Sequence, residues 1–329
     1  MIGAFLLGLL PSFLQVRIRR LLGQHIGKGS RIRFGSIVKV KSLNMGEQCS
    51  IGPFCYIKAD HLEIGSKSVI KPFSIISTRV VKFGEYVHIA PLTIISSEFT
   101  ENSVIEIGDH SRIFPYCWLD TGEGIKIRKQ VGVGAHSLIY THGSWADYLD
   151  GAPISYGPVE LGDNIWIPTR VTILPNVVLG KNTIVGANSL VNKSFPENVL
   201  IAGTPAKIIK ENVIGAITPD EKCKRMIQIL EGYSKYLNFK SDSNSRVEGD
   251  KLFLHAFKMV IDENKDLNKG DMLILVNTTI SHQEMEGLKS KGISVIDHTN
   301  KRILQTSNKS VFIDFVSYLR RYGVRLYID

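Results

Sequence analysis

An aliphatic ladder with a step of six residues governs what this chain can fold into. Leu161, Ile167, Ile173, Leu179, Val185 and Val191 follow one another at that interval. Upstream it recurs in triplets: Ile26/Ile32/Val38, Met45/Ile51/Ile57, Ile64/Ile70/Ile76, Phe83/Ile89/Ile95, Ile107/Ile113/Leu119 and Ile127/Val133/Ile139. The interval matches neither the turn of an α-helix nor the two-residue alternation of a strand. It requires a coil with three short flat sides, stacked many times, with one aliphatic side chain pointing inward from each side.

The irregularities of the ladder are as informative as its period. Within a triplet the step never varies. Between triplets it is 7 residues from Val38 to Met45, from Ile57 to Ile64 and from Ile76 to Phe83. It is 12 from Ile95 to Ile107, 8 from Leu119 to Ile127, 22 from Ile139 to Leu161 and 6 from Ile173 to Leu179. Every insertion therefore leaves the stack at one corner, and the longest lies within residues 140–160. Insertions confined to one face of a repeat commonly mark its binding face. Glycine follows the first member of nearly every triplet (Gly27, Gly46, Gly65, Gly84, Gly108, Gly162, Gly180). A tight turn at that corner is the expected reason.

The net charge of +9 over 329 residues invites an anionic partner. No RRM, helix-turn-helix or zinc-finger signature is present, so nucleic acid is not the expected one. The four cysteines, Cys49, Cys55, Cys117 and Cys223, form no CxxC pair. Small wall or core residues in a reducing, cytoplasmic setting are expected, with no metal.

The first residues, MIGAFLLGLLPSFLQVRIRRLLG, hold an apolar run too short to span a bilayer and interrupted by Pro11. Its basic residues follow the apolar run, the reverse of a signal peptide. Residues 1–23 are expected to be an amphipathic helix capping the open end of the stack. The other reading is a peripheral membrane anchor with Arg17, Arg19 and Arg20 as its charged face. Residues 24–212 form the repeat domain, 213–249 a helix and a polar linker (238–250 reading FKSDSNSRVEGD from Phe239), and 250–329 a small α/β unit of strand–helix alternation.

The run LGDNIWIPTRVTILPNVVLGKNTIVGANSLVNKSFPENVLIAGTPAKIIK resembles the C-terminal signature of the hexapeptide-repeat acyltransferases. The similarity covers about residues 24–212 and is closest to the maltose, galactoside and nodulation-type O-acetyltransferases and the sugar-modifying enzymes of surface polysaccharide synthesis. It implies a mainly β fold, a left-handed parallel β-helix of hexapeptide repeats. The C-terminal helix and small α/β domain lie outside it. It also implies a homotrimer with sites between subunits.

The resemblance assigns roles to particular residues. His142, in a Thr-His context three residues past the inward Ile139, matches the family's general base. A sugar hydroxyl is a poor nucleophile, and an imidazole can take its proton as the oxygen attacks a thioester. No covalent enzyme intermediate is needed. The backbone N–H of Thr169 matches the oxyanion donor. Acetyl-CoA, or another short acyl-CoA, is the implied co-substrate. Trp166, Thr169, Ala187 and Asn192 match positions along its groove, and Lys193, Lys207 and Lys210 are placed to meet its phosphates.

The acceptor side is expected at the loop SWADYLDGAPISYGP. Trp145, Tyr148 and Tyr156 offer flat surfaces for sugar rings, and Asp147 and Asp150 offer acceptors for hydroxyls. Tyr116 and Asp120 on the preceding coil complete that wall.

Three departures from the family pattern stand out. Pro168 replaces a usual Gly, Asn176 replaces the Gly of a Leu-Pro-Gly turn, and no Asn stands near Pro115 or Tyr116 where sugar acetyltransferases carry one. The expected reaction is O-acetylation of a sugar of a surface polysaccharide or its precursor. N-acetylation of an amino sugar or nucleotide sugar and a non-catalytic trimeric scaffold are the alternatives. A γ-class carbonic anhydrase uses the same coil, but two of its zinc-ligating histidines are five residues apart, whereas His136 and His142 are six apart. His88, His110 and His136 are expected at surfaces or interfaces.

Overall fold

The computed structural model describes residues 2–144, 146–241, 245–254, 258–262, 267–278, 280–304, 309–324 and 326–328. The chain divides into two compact units, residues 1–215 and 216–329.

In the first unit the three members of each triplet occupy three different sides of a parallel β-helix. Strand pairing stacks them in order. First members pair Ile26 with Met45, Met45 with Ile64, Ile64 with Phe83, and so on to Leu161 with Leu179. Second members run from Ile32 on Ile51 to Val185 on Ile201. Third members run from Val38 on Ile57 to Ile173 on Val191. All of these are buried and form one continuous core. The register of the ladder thus follows from hydrophobicity, because a one-residue slip would turn each side chain outward.

Two of the three corners are tight. The residue three past each first or second member adopts positive φ, as at Lys67, Phe73, His110, Tyr116, His136 and Arg170. The third corner lacks this turn in most coils and releases the insertions. At two of the three one-residue insertions the chain runs through the corner as one strand, Ile37–Met45 and Tyr56–Ile64, whereas Ile75–Ser77 and Val80–Phe83 are separate strands.

This geometry corrects the reason for the recurrent glycines. Gly65 and its counterparts at Gly27, Gly46, Gly84, Gly108, Gly162 and Gly180 are not in the left-handed region. A Cβ on Gly65 would lie 2.7 Å from Glu85 N and closer still to the Gly84 carbonyl. The glycines are required because the next coil's backbone passes over them.

A second periodic position lies two residues before each second and third member. Ser30, Ser36, Cys49, Cys55, Ser68 and Ser74 occupy it and are buried. Each donates to a carbonyl of the next coil: Ser68 Oγ to Gly84 O at 2.8 Å, Cys49 Sγ to Gly65 O at 3.1 Å, Cys55 Sγ to Lys71 O at 3.1 Å. Cys117 does the same to Gly134 O at 3.1 Å, and burial raises its thiol to about 11. These cysteines are unreactive donors that satisfy corner carbonyls.

Two helices, Ile2–Gly8 and Ser12–Leu21, precede the coil and break at Pro11. Val16 packs into the coil core. The membrane-facing role read for Arg19 and Arg20 does not fit. Arg19 is buried and its Nη2 donates to Val38 O at 2.7 Å, while Arg20 Nη2 donates to Ile26 O at 2.6 Å. Both guanidinium groups tie the helix to the first coil, and Arg17 remains exposed. At the other end of the stack an antiparallel hairpin, Val199–Gly203 with Ala206–Glu211, follows the last coil.

The second unit is a seven-stranded mixed sheet. Three adjacent strands, Lys258–Ile261, Met272–Leu275 and Ser294–Asp297, are parallel. The helix Pro219–Ser241 supplies Met226, Leu230 and Tyr233 to its core. The segment read as a polar linker is ordered where described. The helix runs on to Ser241, and Arg246–Glu248 pairs with Lys251–Phe253. Buried Ser234 and Ser245 bond each other at 2.9 Å, which accounts for polar residues in a structured segment.

Candidate functional site

The longest insertion begins beside His142 and is held down at both ends. His142–Gly143 pairs antiparallel with Ser155–Tyr156. Gly157 N donates to Thr141 O at 3.0 Å. Asn176, on the following coil, donates its side-chain amide to Tyr156 O at 2.9 Å. Asn176 adopts φ 64°, so the Leu-Pro-Asn turn keeps the left-handed conformation that Asn tolerates.

His142 stands half-exposed over a buried carboxylate. Its Nδ1 lies 2.7 Å from Asp120 Oδ2, with side-chain exposures of 47% and 6%. Thr141 donates to the same oxygen twice, from its N at 2.9 Å and its Oγ1 at 2.9 Å. Gly122 N donates to the other oxygen at 3.3 Å. A carboxylate oxygen accepts, so Nδ1 carries the proton and Nε2 presents a lone pair. Thr141 Oγ1 in turn accepts from Glu123 N at 3.0 Å, which fixes the direction of its own donation. The ring of Tyr156 lies 6.1 Å from that of His142, nearly parallel, and Tyr156 Oη bonds Ser144 Oγ at 2.7 Å.

Asp120 is therefore corrected from a sugar-contacting residue to the group beneath His142. It is buried and accepts four hydrogen bonds, three of them on the oxygen nearest His142. Its position in the sequence carried the signal. It directly follows inward Leu119, and Leu119 stacks under Ile139, three residues before His142.

The other expected residues are distributed over the coil. Tyr116 stands at a different corner from His142, stacked on His136 with ring centres 4.9 Å apart. Thr169 and Ala187 also belong to that corner. Thr169 Oγ1 donates to Ala135 O at 2.7 Å, and Asn188 N donates to Thr169 O at 3.2 Å. Trp166 points outward beside Phe114, with ring centres 5.9 Å apart. Asn192 and Lys193 follow the third-side Val191, with Lys193 Nζ over the Phe195 ring at 5.6 Å. Lys207 and Lys210 are exposed on the closing hairpin. Tyr148 and Asp150 are exposed in a short 3-10 turn, which Asp147 caps by accepting from Leu149 N at 2.8 Å. Trp145 lies outside the described residues. Asp120, Thr141, His142, Ser144, Tyr156 and Asn176 are thus brought together, whereas Thr169 and Ala187 sit at another corner of the same prism.

The likeness to known proteins lies in the coil. The family model "Bacterial transferase hexapeptide (six repeats)" matches residues 158–193. Over those residues the coil is similar to the hexapeptide repeats of bacterial transferases. A protein of Escherichia coli K12 provisionally named as an O-acetyl transferase of lipopolysaccharide biosynthesis is 33% identical over 119 residues, 33% of this chain and 61% of that protein. The galactoside O-acetyltransferase of the same organism is 44% identical over 54 residues, 16% of this chain and 27% of the relative. Among solved structures, a hexapeptide-repeat acetyltransferase of Vibrio cholerae O1 complexed with acetyl coenzyme A is 29% identical, with a TM-score of 0.35, covering 40% of this chain and 70% of that one. This chain spans about six tenths of the length of the first of these relatives.

Proposed function

We propose that the protein is an acetyl-CoA-dependent O-acetyltransferase acting on a sugar hydroxyl of a surface polysaccharide or its precursor. The observation that carries this reading is the His142–Asp120 pair at the mouth of the longest excursion from the coil. Asp120 holds the Nδ1–H tautomer, and Nε2 is free to take a proton. The sugar oxygen attacks the thioester carbonyl as its proton moves to Nε2. The tetrahedral intermediate collapses, the carbon–sulfur bond breaks, and the proton passes to the departing thiolate. The backbone N–H of Thr169 is the intended partner of the transient oxyanion.

Thr169 and Ala187 occupy a different corner from His142, so one chain does not complete this site. In our reading a homotrimer brings the His142 corner of one subunit beside the Thr169 corner of the next. Trp166, Ala187 and Asn192 then border the pantetheine arm, and Lys193, Lys207 and Lys210 meet the phosphates. Tyr148, Tyr156 and the capped turn at Asp147 form the acceptor wall. The test is release of coenzyme A from acetyl-CoA with a panel of nucleotide sugars and oligosaccharides. Acceptor-dependent release supports the reading; no release with any acceptor, together with no coenzyme A binding, overturns it.

We further propose that the enzyme works at the inner face of the cytoplasmic membrane. No helix among the described residues is long and apolar enough to cross a membrane. The N-terminal helices nevertheless leave Phe5, Leu6, Leu9, Phe13, Leu21 and Leu22 exposed, with Arg17, Arg31 and Arg33 nearby. Exposed apolar side chains flanked by arginine suit an anionic lipid surface. Full-length protein is expected to sediment with vesicles containing phosphatidylglycerol. The combined change Phe13→Ser, Leu21→Ser and Leu22→Ser is expected to weaken binding at least about a thousandfold, since each buried side chain contributes roughly 1.5–3 kcal/mol. Equal sedimentation of the two proteins would refute the anchor.

A further inference from the structure

The second unit contains a cavity of about 330 Å³ at the carboxyl ends of two parallel strands. Val276 follows the strand Met272–Leu275, and His298 follows Ser294–Asp297. Both line the cavity, with Lys222, Arg225 and Met226 from the helix Pro219–Ser241 and with Tyr322. In open α/β sheets ligands bind at this edge, and about 300–1,000 Å³ is the size range of small-molecule sites.

The charges around the cavity are unbalanced. Lys301 Nζ bonds His298 Nε2 at 2.9 Å, and Lys222 is close enough to disfavour the charge on both. Among the described residues, Lys222, Arg225 and Lys301 form no ion pair. Two carboxylates at the strand ends beside the cavity are already committed to other donors. Asp262 accepts from Val276 N at 2.7 Å, Asn277 N at 3.1 Å and Thr278 Oγ1 at 3.0 Å. Asp297 accepts from Asn300 N at 2.9 Å and Asn300 Nδ2 at 2.7 Å. Gathering like charges on a partly buried wall costs stability unless a ligand neutralises them.

Apolar residues share the lining with Lys222 and Arg225. Ile217, Met226, Ile229 and Val324 line the rest of the cavity, and the Tyr322 ring supplies a flat face. We propose that the cavity binds a nucleoside diphosphate, with its phosphates at Lys222, Arg225 and His298 and its base among the apolar lining residues. A free phosphate would use the cations and leave the apolar wall idle. An apolar ligand would leave the cations unmatched. Burial and the neighbouring lysines push His298 down to about 4, so it is neutral before a ligand arrives and can be a hydrogen-bond partner rather than a third fixed charge.

The test is calorimetric titration of the full-length protein with UDP, ADP and GDP, and with uridine and inorganic phosphate as partial ligands. The titrations are run with and without saturating coenzyme A, because the coil reading includes a nucleotide-bearing co-substrate. At least one diphosphate is expected to bind saturably in both conditions. The matching nucleoside and inorganic phosphate are each expected to bind at least about tenfold more weakly. Lys222→Gln and Arg225→Gln are each expected to weaken binding about tenfold, as the loss of one charge-assisted contact does. Ile217→Trp, which fills part of the apolar lining, reports independently should a charge variant fail to fold, and is expected to abolish binding. The proposal is overturned by no saturable binding of any diphosphate, by competition from coenzyme A, or by undiminished binding in the two charge variants. Phosphate alone binding as tightly as the best diphosphate would also overturn it.

Discussion

Turnover by His142→Ala is expected to fall about a thousandfold, with the KM for acetyl-CoA little changed, because a positioned general base contributes roughly 10²–10⁴ in rate. The side chain lies on the surface of the site, half-exposed, and its removal leaves the coil core untouched. Loss of rate is therefore separable from loss of fold by comparing the melting transitions of the two proteins. The informative companion is Asp120→Asn. An amide keeps the shape and can still accept at one atom, but it cannot receive Nδ1–H and both Thr141 donors with a full charge. Its expected signature is a lower kcat at unchanged KM for acceptor and acetyl-CoA, by about a hundredfold, since a mis-set tautomer costs rate and not binding. Asp120→Glu, which restores the charge one methylene displaced, should recover part of the loss. Retention of full turnover by folded His142→Ala would end the assignment of the base. Full turnover by Asp120→Asn would instead reduce the carboxylate to a structural support for the Thr141 turn.

What the sequence revealed and what it hid have a common physical cause. The inward positions are chosen by hydrophobicity alone, so Ile64, Phe83 and Ile107 announce both the coil and its register. The site was legible only as a place, the corner from which residues 140–160 depart. The role of Asp120 was not legible, because a carboxylate beside an inward Leu119 reads equally as a surface acceptor or as a buried partner. Only stacking of one coil on the next brings it to 2.7 Å from His142 Nδ1. The same limit applied to Arg19 and Arg20, whose sequence pattern is that of a charged helix face. In the fold they are consumed by the carbonyls of Val38 and Ile26, which the first coil leaves without a preceding coil to bond. Long-range backbone acceptors are invisible to periodicity, and charged side chains that find them change meaning. The second unit, with no repeat to index it, was legible only as alternating elements. The convergence of Lys222, Arg225 and His298 on one cavity depends on tertiary packing alone.

The glycines test the coil itself, and Gly65→Ala is expected to lower its stability by about 3 kcal/mol, the upper end of what an inserted methyl costs in a packed interior. The argument is one of spacing. Gly65 N donates to Phe83 O at 2.7 Å, and Ile64 pairs with Phe83 in the ladder. These contacts hold the two coils at hydrogen-bonding distance, and a methyl group on Gly65 would stand 2.7 Å from Glu85 N. Relief requires the coils to part at this corner by roughly 1 Å, which stretches that hydrogen bond and opens the buried stack beside it. In a coil of this size a change of 3 kcal/mol corresponds to a fall in Tm of roughly 6–12 °C. Two substitutions give the contrast. Gly215→Ala meets nothing within 4 Å and has no unusual φ, so its Tm should stay near that of the parent. Gly29 has φ 76°, and a Cβ there would meet only ordinary van der Waals contacts, the nearest Gln48 Cγ at 3.5 Å; Asn, which tolerates that conformation, should cost far less there than Ala does at Gly65. If the glycines served turn dihedrals, the order would reverse: Gly65→Ala would be tolerated and any side chain at Gly29 would be costly. A Tm for Gly65→Ala within a degree or two of the parent would show that the coils can part without penalty, and the close-approach explanation would fail.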